Sequence, residues 1–237
     1  MTTALDLVKF SADELSLARP SDISDTSDDN TAQKLVRHMT RTCRQLSAEY
    51  DWTRLRKEKT LTTMAAEDQT GAVPVDFQRF VPGTMWNRTT RVKVNGPLSP
   101  DDWQARKAVL VTGAFTNFIQ RGASFLLTPV PSAGQTIAYE YITKYIGINA
   151  AGTTELNEFI ADTDTAYFDD ELLILGTVWR YRKAEGLDYS EEFREYGMRR
   201  ANMIKMDGGR RVVDMNGTLS DRPINTTYTE VADIFTL

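Results

Sequence analysis

The clearest pattern of hydrophobic and polar positions in the chain begins at Thr31, where apolar residues recur every three or four positions. The recurring residues are Leu35, Met39, Cys43, Leu46 and Tyr50. This spacing predicts one face of an α-helix that begins at Thr31 and closes at Asp51 and Trp52. The opposite face carries the basic residues Lys34, Arg37, Arg41 and Arg44. A shorter amphipathic helix is predicted over residues 4–18.

The hydrophobic pattern changes from helical to alternating in residues 59–147. The alternation predicts a long strand whose side chains divide into two sets, Ile137, Tyr139 and Tyr141 on one side, and Ala138, Glu140 and Lys144 on the other. Apolar runs separated by Pro, Gly and Asn-Gly signals predict further short strands. One helix interrupts them, because Ser99 is a favourable N-cap and Pro100 suits the first helical position.

Residues 73–91, VPVDFQRFVPGTMWNRTTR, mix prolines, aromatic residues and arginines. Proline is unfavourable inside a helix or a central strand, so Pro74 and Pro82 predict short extended turns. The segment is interpreted as the entry to the β-rich part. Its expected core residues are Val75, Phe77, Phe80 and Trp86, and its expected surface residues are Arg79, Arg88 and Arg91.

Helical periodicity returns in the last third of the chain. The acidic, threonine-rich residues 162–165 are expected to start a helix that runs to about Ala184, and a second helix is predicted over 189–206. Glu195 and Arg199 have the i,i+4 spacing of an ion pair. Residues 208–237 show no sustained period and are interpreted as an extended arm.

These patterns predict an α+β fold, a helical bundle interrupted by a β-rich, barrel- or sandwich-like insertion and followed by an extended C-terminal arm. The predicted division has four parts. They are N-terminal helices over 1–58, a β-rich insertion over 59–147, C-terminal helices over 148–207 and the arm over 208–237.

The charge of the chain limits the classes of function. The 237 residues have a net charge of −5 and a pI of about 5.1, which argues against a protein that coats DNA. Acids predominate in residues 1–30 and basic residues in 31–60, an arrangement that suits separate acidic and basic surfaces. No stretch resembles a signal peptide or a membrane span, so a reducing, soluble compartment is expected.

Residues that could carry chemistry are few. Cys43 and His38 are the only residues of their types, and both lie on or beside the apolar helix face, so packing is the favoured interpretation of each. Three pairs of carboxylates are present, Asp162 with Asp164, Asp169 with Asp170, and Glu191 with Glu192. Acids near helix N-termini explain the first two pairs, so no catalytic, cofactor-binding or metal-binding residue is predicted.

The candidate residues are instead those of an interface between subunits or with a partner. A basic helix and an acidic loop on one chain supply the two different patches that a head-to-tail contact requires. The candidates are Lys34, Arg37, Arg41 and Arg44 on the helix, Asp25, Asp28 and Asp29 in the loop, and Arg210, Arg211, Tyr228, Val231, Ile234 and Phe235 in the arm.

The order of several motifs resembles that of a known family. A helix ending in AEYDW is followed by VPVDFQRF, an aromatic turn, GPLSPDDWQ and a late helix pair. This order is similar to the head–tail adaptor proteins of tailed bacteriophages, also called tail-tube adaptors or head-completion proteins. The residues that match the family pattern belong to its fold signature, and they are Tyr50, Asp51, Trp52, Pro74, Asp76, Phe77, Pro97, Trp103 and Gln104.

The resemblance implies a structural virion protein that is not an enzyme and needs no cofactor. Family members form a ring, typically twelve-fold, beneath the portal protein at the head–tail junction. The helical part is then expected to contact the portal and neighbouring subunits, and the β-rich part a tail or nozzle protein. Double-stranded DNA passes transiently, and no membrane is involved.

Two other functions stay open from the residues alone. One is a virion-associated hydrolase of glycan or peptidoglycan that uses Asp162 or Asp164. The other is a nucleic-acid-binding module that uses the basic face of the helical segment 31–57.

Overall fold

A computed structural model describes residues 2–24, 27–109 and 115–208 of the chain. These residues form an α+β fold, which confirms the predicted class. The predicted arm, apart from its first residue, lies outside the described residues. The helices are α1 (Ala4–Glu14), α2 (Ser27–Glu49), α3 (Pro100–Ala108), α4 (Asp170–Ala184) and α5 (Ser190–Asp207), with a 3₁₀ turn over Thr53–Leu55.

The strands form three antiparallel sheets. The first contains β1 (Arg56–Thr62), β3 (Phe77–Phe80), β4 (Trp86–Asn87), β5 (Val92–Lys93) and β8 (Thr136–Thr143). The second contains β2 (Asp68–Gln69), β6 (Asn117–Arg121) and β7 (Ser124–Thr128). The third contains β9 (Gly147–Ile148), β10 (Glu155–Leu156) and β11 (Thr165–Ala166).

Strand β8 is the centre of the first sheet. One of its edges pairs with β1 from Arg56–Ile142 to Thr62–Thr136. Its other edge pairs with β3 and β4, one after the other. The predicted long strand is thus confirmed, and it organises the sheet.

Two hydrophobic clusters lie on either side of this sheet. The helical cluster joins α1, α2 and α4 through residues such as Leu7, Leu35, Met39, Cys43 and Leu173. The β cluster is rich in aromatic residues, with Phe80, Phe118, Phe125, Tyr139 and Tyr141 in contact. Adjacent residues of one strand enter different clusters, because successive side chains of a strand point to opposite faces.

The alternation of β8 follows this division. Ile137, Tyr139 and Tyr141 belong to the β cluster, whereas Ile142 belongs to the helical cluster. In β3 the side chain of Phe80 enters the β cluster, and Val81, which follows it, enters the helical cluster. Residues of the predicted insertion therefore complete the helical core. The exact division into four parts stays a prediction.

The structure corrects the interpretation of residues 73–91. Phe77 and Phe80 pack in the β cluster as expected, but Val75 is 88% exposed and Trp86 is 47% exposed. Val75 lies in a turn outside the strands, and in β4 the buried residue is Asn87, whose side-chain oxygen accepts N–H bonds from Thr89 and Thr90 at 3.0 Å each. Arg79 was expected at the surface and is instead half-buried against the end of α2.

Several helix boundaries also differ from the predicted ones. Helix α1 ends at Glu14 and α2 ends at Glu49, so both end before the expected positions. Helix α2 also begins at Ser27 and not at Thr31, so Asp28 and Asp29, expected in a loop, belong to its first turn. Helix α4 begins at Asp170 and not within 162–165, because Asp169 is the N-cap that accepts the Leu172 N–H. Residues 162–165 form a turn that leads into β11, and their backbone oxygens accept N–H bonds from the start of α1. The helix at Pro100 with Ser99 as its N-cap is confirmed.

Candidate interaction surfaces

The four basic residues predicted on one face of α2 do not share one environment. The ammonium of Lys34 lies 3.4 Å from a carboxylate oxygen of Glu185, at the end of α4. Arg44 donates to the Asn157 carbonyl at 3.1 Å and lies 3.9 Å from Glu158. Arg37 and Arg41 are exposed, and their side chains make no hydrogen bond or ion pair with any described residue.

A third arginine lies near Arg41, one residue of this exposed pair. Arg180 of α4 is only 7% exposed, and it donates to the Thr42 hydroxyl at 3.0 Å and to the Gln45 side-chain oxygen. Its guanidinium lies 4.4 Å from the centre of the Trp179 ring. Burial lowers the pKa of Arg180 below its usual value, and nearby Arg41 acts in the same direction. A buried cation without a carboxylate is unusual, since buried charges are normally paired.

We define the cationic ridge as Arg37, Arg41 and Arg180. His38 lies within it, half-buried, with its ring edge-on to Tyr181 at 6.3 Å. Burial lowers the pKa of His38, and the charges of Arg180 and Arg41 lower it further. The histidine is therefore neutral near pH 7, and the ridge takes its charge from the arginines.

The carboxylate pairs have partners that hold the fold together. The Asp162 side chain accepts the Ile23 N–H at 2.8 Å, and Asp164 accepts those of Ile160 and Ala161 at 2.8 Å each. Asp169 binds Arg199 through two contacts of 2.9 Å in addition to capping α4. No observation therefore favours a role of these acids in hydrolysis. No group of metal-binding side chains occurs within residues 2–24, 27–109 and 115–208.

Most of the other predicted interface residues lie outside the part of the chain that the structure describes. Asp25 lies outside the described residues, as do the side chains of Asp28 and Asp29. The same holds for the arm residues Arg210, Arg211, Tyr228, Val231, Ile234 and Phe235. Their role at an interface stays a prediction.

Tyr50, Asp51 and Trp52, which match the adaptor pattern, lie where α2 ends and the β-rich part begins. Arg79 donates to the Ser47 and Tyr50 carbonyls, the latter at 2.7 Å, and to the Asp51 carboxylate at 2.9 Å. Trp52 is buried and donates its indole N–H to the Leu46 carbonyl at 2.7 Å. These bonds occupy carbonyls at the C-terminus of α2, which lack partners within the helix.

Asp76 is the centre of a second polar cluster at the same junction. Its carboxylate accepts hydrogen bonds from Lys57, Tyr141 and Thr143 at 3.0 Å each. Burial alone would raise the pKa of Asp76, but these three bonds outweigh it and hold the pKa below its usual value. Lys57 also binds Glu155, so the cluster ties together β1, β8 and β10. It is a structural element of the fold signature.

Sequence reasoning missed Arg180 and the polar contacts of the junction. Arg180 lies among apolar residues of a predicted helix, and only the position of Thr42 and Gln45 on the neighbouring helix identifies its environment. Arg199, predicted to pair with Glu195, binds Asp169 instead. The sequence did single out Asp51 and Asp76, because both residues match the motif pattern of the adaptor family.

The described residues thus define a class of protein, an α+β subunit in which several exposed charged side chains, those of Arg37 and Arg41 among them, make no ion pair within the subunit. The SU10 adaptor protein family model matches residues 2–222, and the chain belongs to this family. No curated protein matches the chain. The resemblance to phage head–tail adaptors is therefore confirmed, and the chain is a structural phage adaptor of the virion that interacts with portal or tail components. Within the described part, every helix is too short or too polar to cross a membrane.

Proposed function

We propose that this adaptor is a head–tail connector, a ring that docks beneath the portal and joins it to the tail while leaving a channel for DNA. A typical twelve-fold ring is the expected assembly. The observation that carries the proposal is the family match over residues 2–222. The net charge of −5 supports it, because a strongly basic channel would retain the DNA that has to pass.

The two parts of the fold have different roles in this proposal. The helices contact the portal and neighbouring subunits, and the β-rich part faces the tail or nozzle protein. Arg37 and Arg41 are the most suitable contact residues of α2, because Lys34 and Arg44 already have acceptors within the subunit. Asp25, Asp28, Asp29 and residues 208–237 are proposed as further contacts, the last of these along the portal.

A direct test mixes the purified chain with the portal protein of the same phage. Mass photometry and electron microscopy are expected to show a complex with a ring of this chain beneath the portal. The isolated chain is expected to be largely monomeric, with residues 209–237 accessible to protease. Failure to form any complex with the portal would contradict the connector function.

Binding of nucleic acid is a second candidate function, because the cationic ridge is a local positive surface. Salt-dependent binding to duplex DNA that weakens in the Arg37→Ala and Arg41→Ala variants would favour it. We expect only weak binding, since two exposed arginines neutralise few phosphates. A matched variant, Arg121→Ala, changes an exposed arginine of β6 and is the control.

A further inference from the structure

A groove of about 670 Å³ lies between α1, α4 and α5, on a part of the surface that the proposed function does not yet use. Its lining includes apolar residues, among them Phe10, Ile174, Leu175 and Val178. Phe10 is 48% exposed, a large fraction for a phenylalanine beside a concave surface. Exposed apolar surface surrounded by polar residues is typical of an interaction site.

The rim of this groove is acidic. Three of its carboxylates have basic partners within the subunit, Asp13 with Arg19, Glu191 with Arg194, and Glu192 with Arg182. Three others have no hydrogen bond or ion pair within the described residues, and these are Glu14, Glu171 and Glu195. We call the groove with these three glutamates the acidic groove.

The position of Glu14 favours the binding of a cation from outside the subunit. Glu14 ends α1, and the last turn of α1 contains no basic residue. The C-terminus of a helix carries partial negative charge, so an acid there is unfavourable until a cation approaches it. Glu195 has an arginine at i+4, but Arg199 binds Asp169, 30 positions away along the chain.

Helix α4 separates the acidic groove from the cationic ridge. Val178 lines the groove, whereas Arg180 binds Thr42 and Gln45 of α2. Two residues along an α-helix turn a side chain through roughly 200°, so these two side chains lie on opposite sides of α4. One subunit therefore presents complementary charges on opposite sides, and this arrangement allows copies to join head to tail.

We propose that the acidic groove receives the cationic ridge of a second copy of this chain. Arg37 and Arg41 of one copy then pair with the free glutamates of the next, and their aliphatic stems cover the apolar floor. Arg180, beneath them, adds to the positive potential. This inference rests on the proposed ring and identifies two of its contacting surfaces.

Cysteine crosslinking tests the contact directly. Cys43 is fully buried, so the wild-type chain offers no reactive thiol in its folded state. The Arg41→Cys and Glu195→Cys variants are mixed in equal amounts and treated with a short bismaleimide, alone and with the portal protein. We expect a crosslinked dimer in the mixture and little in either variant alone. A chain with both substitutions is expected to give a ladder of dimers, trimers and larger species.

Three controls make the outcome specific. Pairing Glu195→Cys with Arg121→Cys is expected to give no dimer, because Arg121 lies in the β-rich part. Adding Arg37→Glu to the doubly substituted chain is expected to suppress the ladder. Truncation after Gly208 is expected to preserve it. A ladder that forms only after truncation would assign the groove of the full-length chain to residues 209–237 and overturn the proposal.

Binding of the same samples to the portal separates this inference from the proposed function. Portal binding without any crosslink from groove to ridge would overturn the inference and leave the connector function intact. A ladder without portal binding would support the inference and contradict the connector function. A dimer of the Glu195→Cys variant alone, as abundant as in the mixture, would indicate that groove faces groove and would also overturn the inference.

Discussion

The β cluster and the exposed helix faces of this adaptor differ in whether their side chains find contacts within the subunit. The aromatic side chains of the β cluster contact one another, with centroids such as those of Phe118 and Phe125 5.4 Å apart. On the exposed helix faces, by contrast, a set of charged side chains makes no hydrogen bond or ion pair with a described residue, namely Arg37, Arg41, Glu14, Glu171 and Glu195. The β cluster therefore contributes to folding within one subunit, and the proposal assigns the exposed helix faces to contacts between subunits.

The largest expected effect on stability is in the β cluster. Phe125→Ala removes a buried ring that contacts Phe77, Phe80, Phe118 and Tyr139. We expect the free energy of unfolding to fall by about 3–5 kcal/mol, measured by denaturant titration. Phe10→Ala is the matched control on the helical side, and because Phe10 is half exposed a much smaller loss is expected. Equal losses of unfolding free energy in the two variants would show that the β cluster stabilises the fold no more than the helical surface does.

A second substitution tests the junction between the two regions. Arg79→Ala removes contacts to Asp51 and to two carbonyls at the end of α2. We expect a loss of about 2–3 kcal/mol, because hydrogen bonds from a charged group are lost and their acceptors stay partly buried. The control is Arg88→Ala, which breaks the exposed pair with Glu58 and is expected to cost about 0–1 kcal/mol. A loss for Arg79→Ala no larger than for this control would show that the junction is not stabilising.

The Asp76 cluster predicts a dependence of stability on pH. The folded-state pKa of Asp76 lies below its usual value of 3.8, so the carboxylate stabilises the fold above that pH. Its contribution is lost as the pH falls through the lower, folded-state pKa. In Asp76→Asn we expect a lower stability at pH 7 and a weaker decline below pH 4, measured by thermal unfolding across this range. An unchanged acid profile in this variant would contradict the role of Asp76.

The smallest effect on stability is expected at the cationic ridge. Arg37→Ala with Arg41→Ala should change the free energy of unfolding by less than about 0.5 kcal/mol, because neither side chain has a described partner. Assembly with the portal is expected to weaken in the same variant, measured by mass photometry. Arg106→Ala with Arg121→Ala, two exposed arginines of the β-rich part, should leave assembly of the ring unchanged. A large loss of stability with normal assembly would show that the cationic ridge serves folding and not assembly, the opposite of the proposed role.

The sequence predicted the elements whose signals are local. The period of Leu35, Met39 and Cys43 identified the buried face of α2, and Ser99 and Pro100 identified the start of α3. The start of α4 was misplaced, because residues 162–165 have helix-capping composition but serve a turn and the N-terminus of α1.

Features that depend on distant partners were not predictable. Trp86 was expected in the core because it is large and apolar, yet Asn87 is buried in its place and bonds a turn. Arg199 pairs with Asp169 across 30 positions, whereas the i,i+4 rule pointed to Glu195. The acidic groove combines residues from three separated helices, so no single stretch of sequence contains its signal.

Strand β8 has a mechanical consequence for the assembled adaptor. Its side chains belong to both hydrophobic clusters, so the helical and β-rich regions are joined by a shared strand and not only by connecting loops. A hinge motion between the regions would have to pull Ile142 or Tyr141 out of a packed environment. Under the proposed function, in which the β-rich side faces the tail, a displacement imposed there would reach the helices as a tilt of the whole subunit.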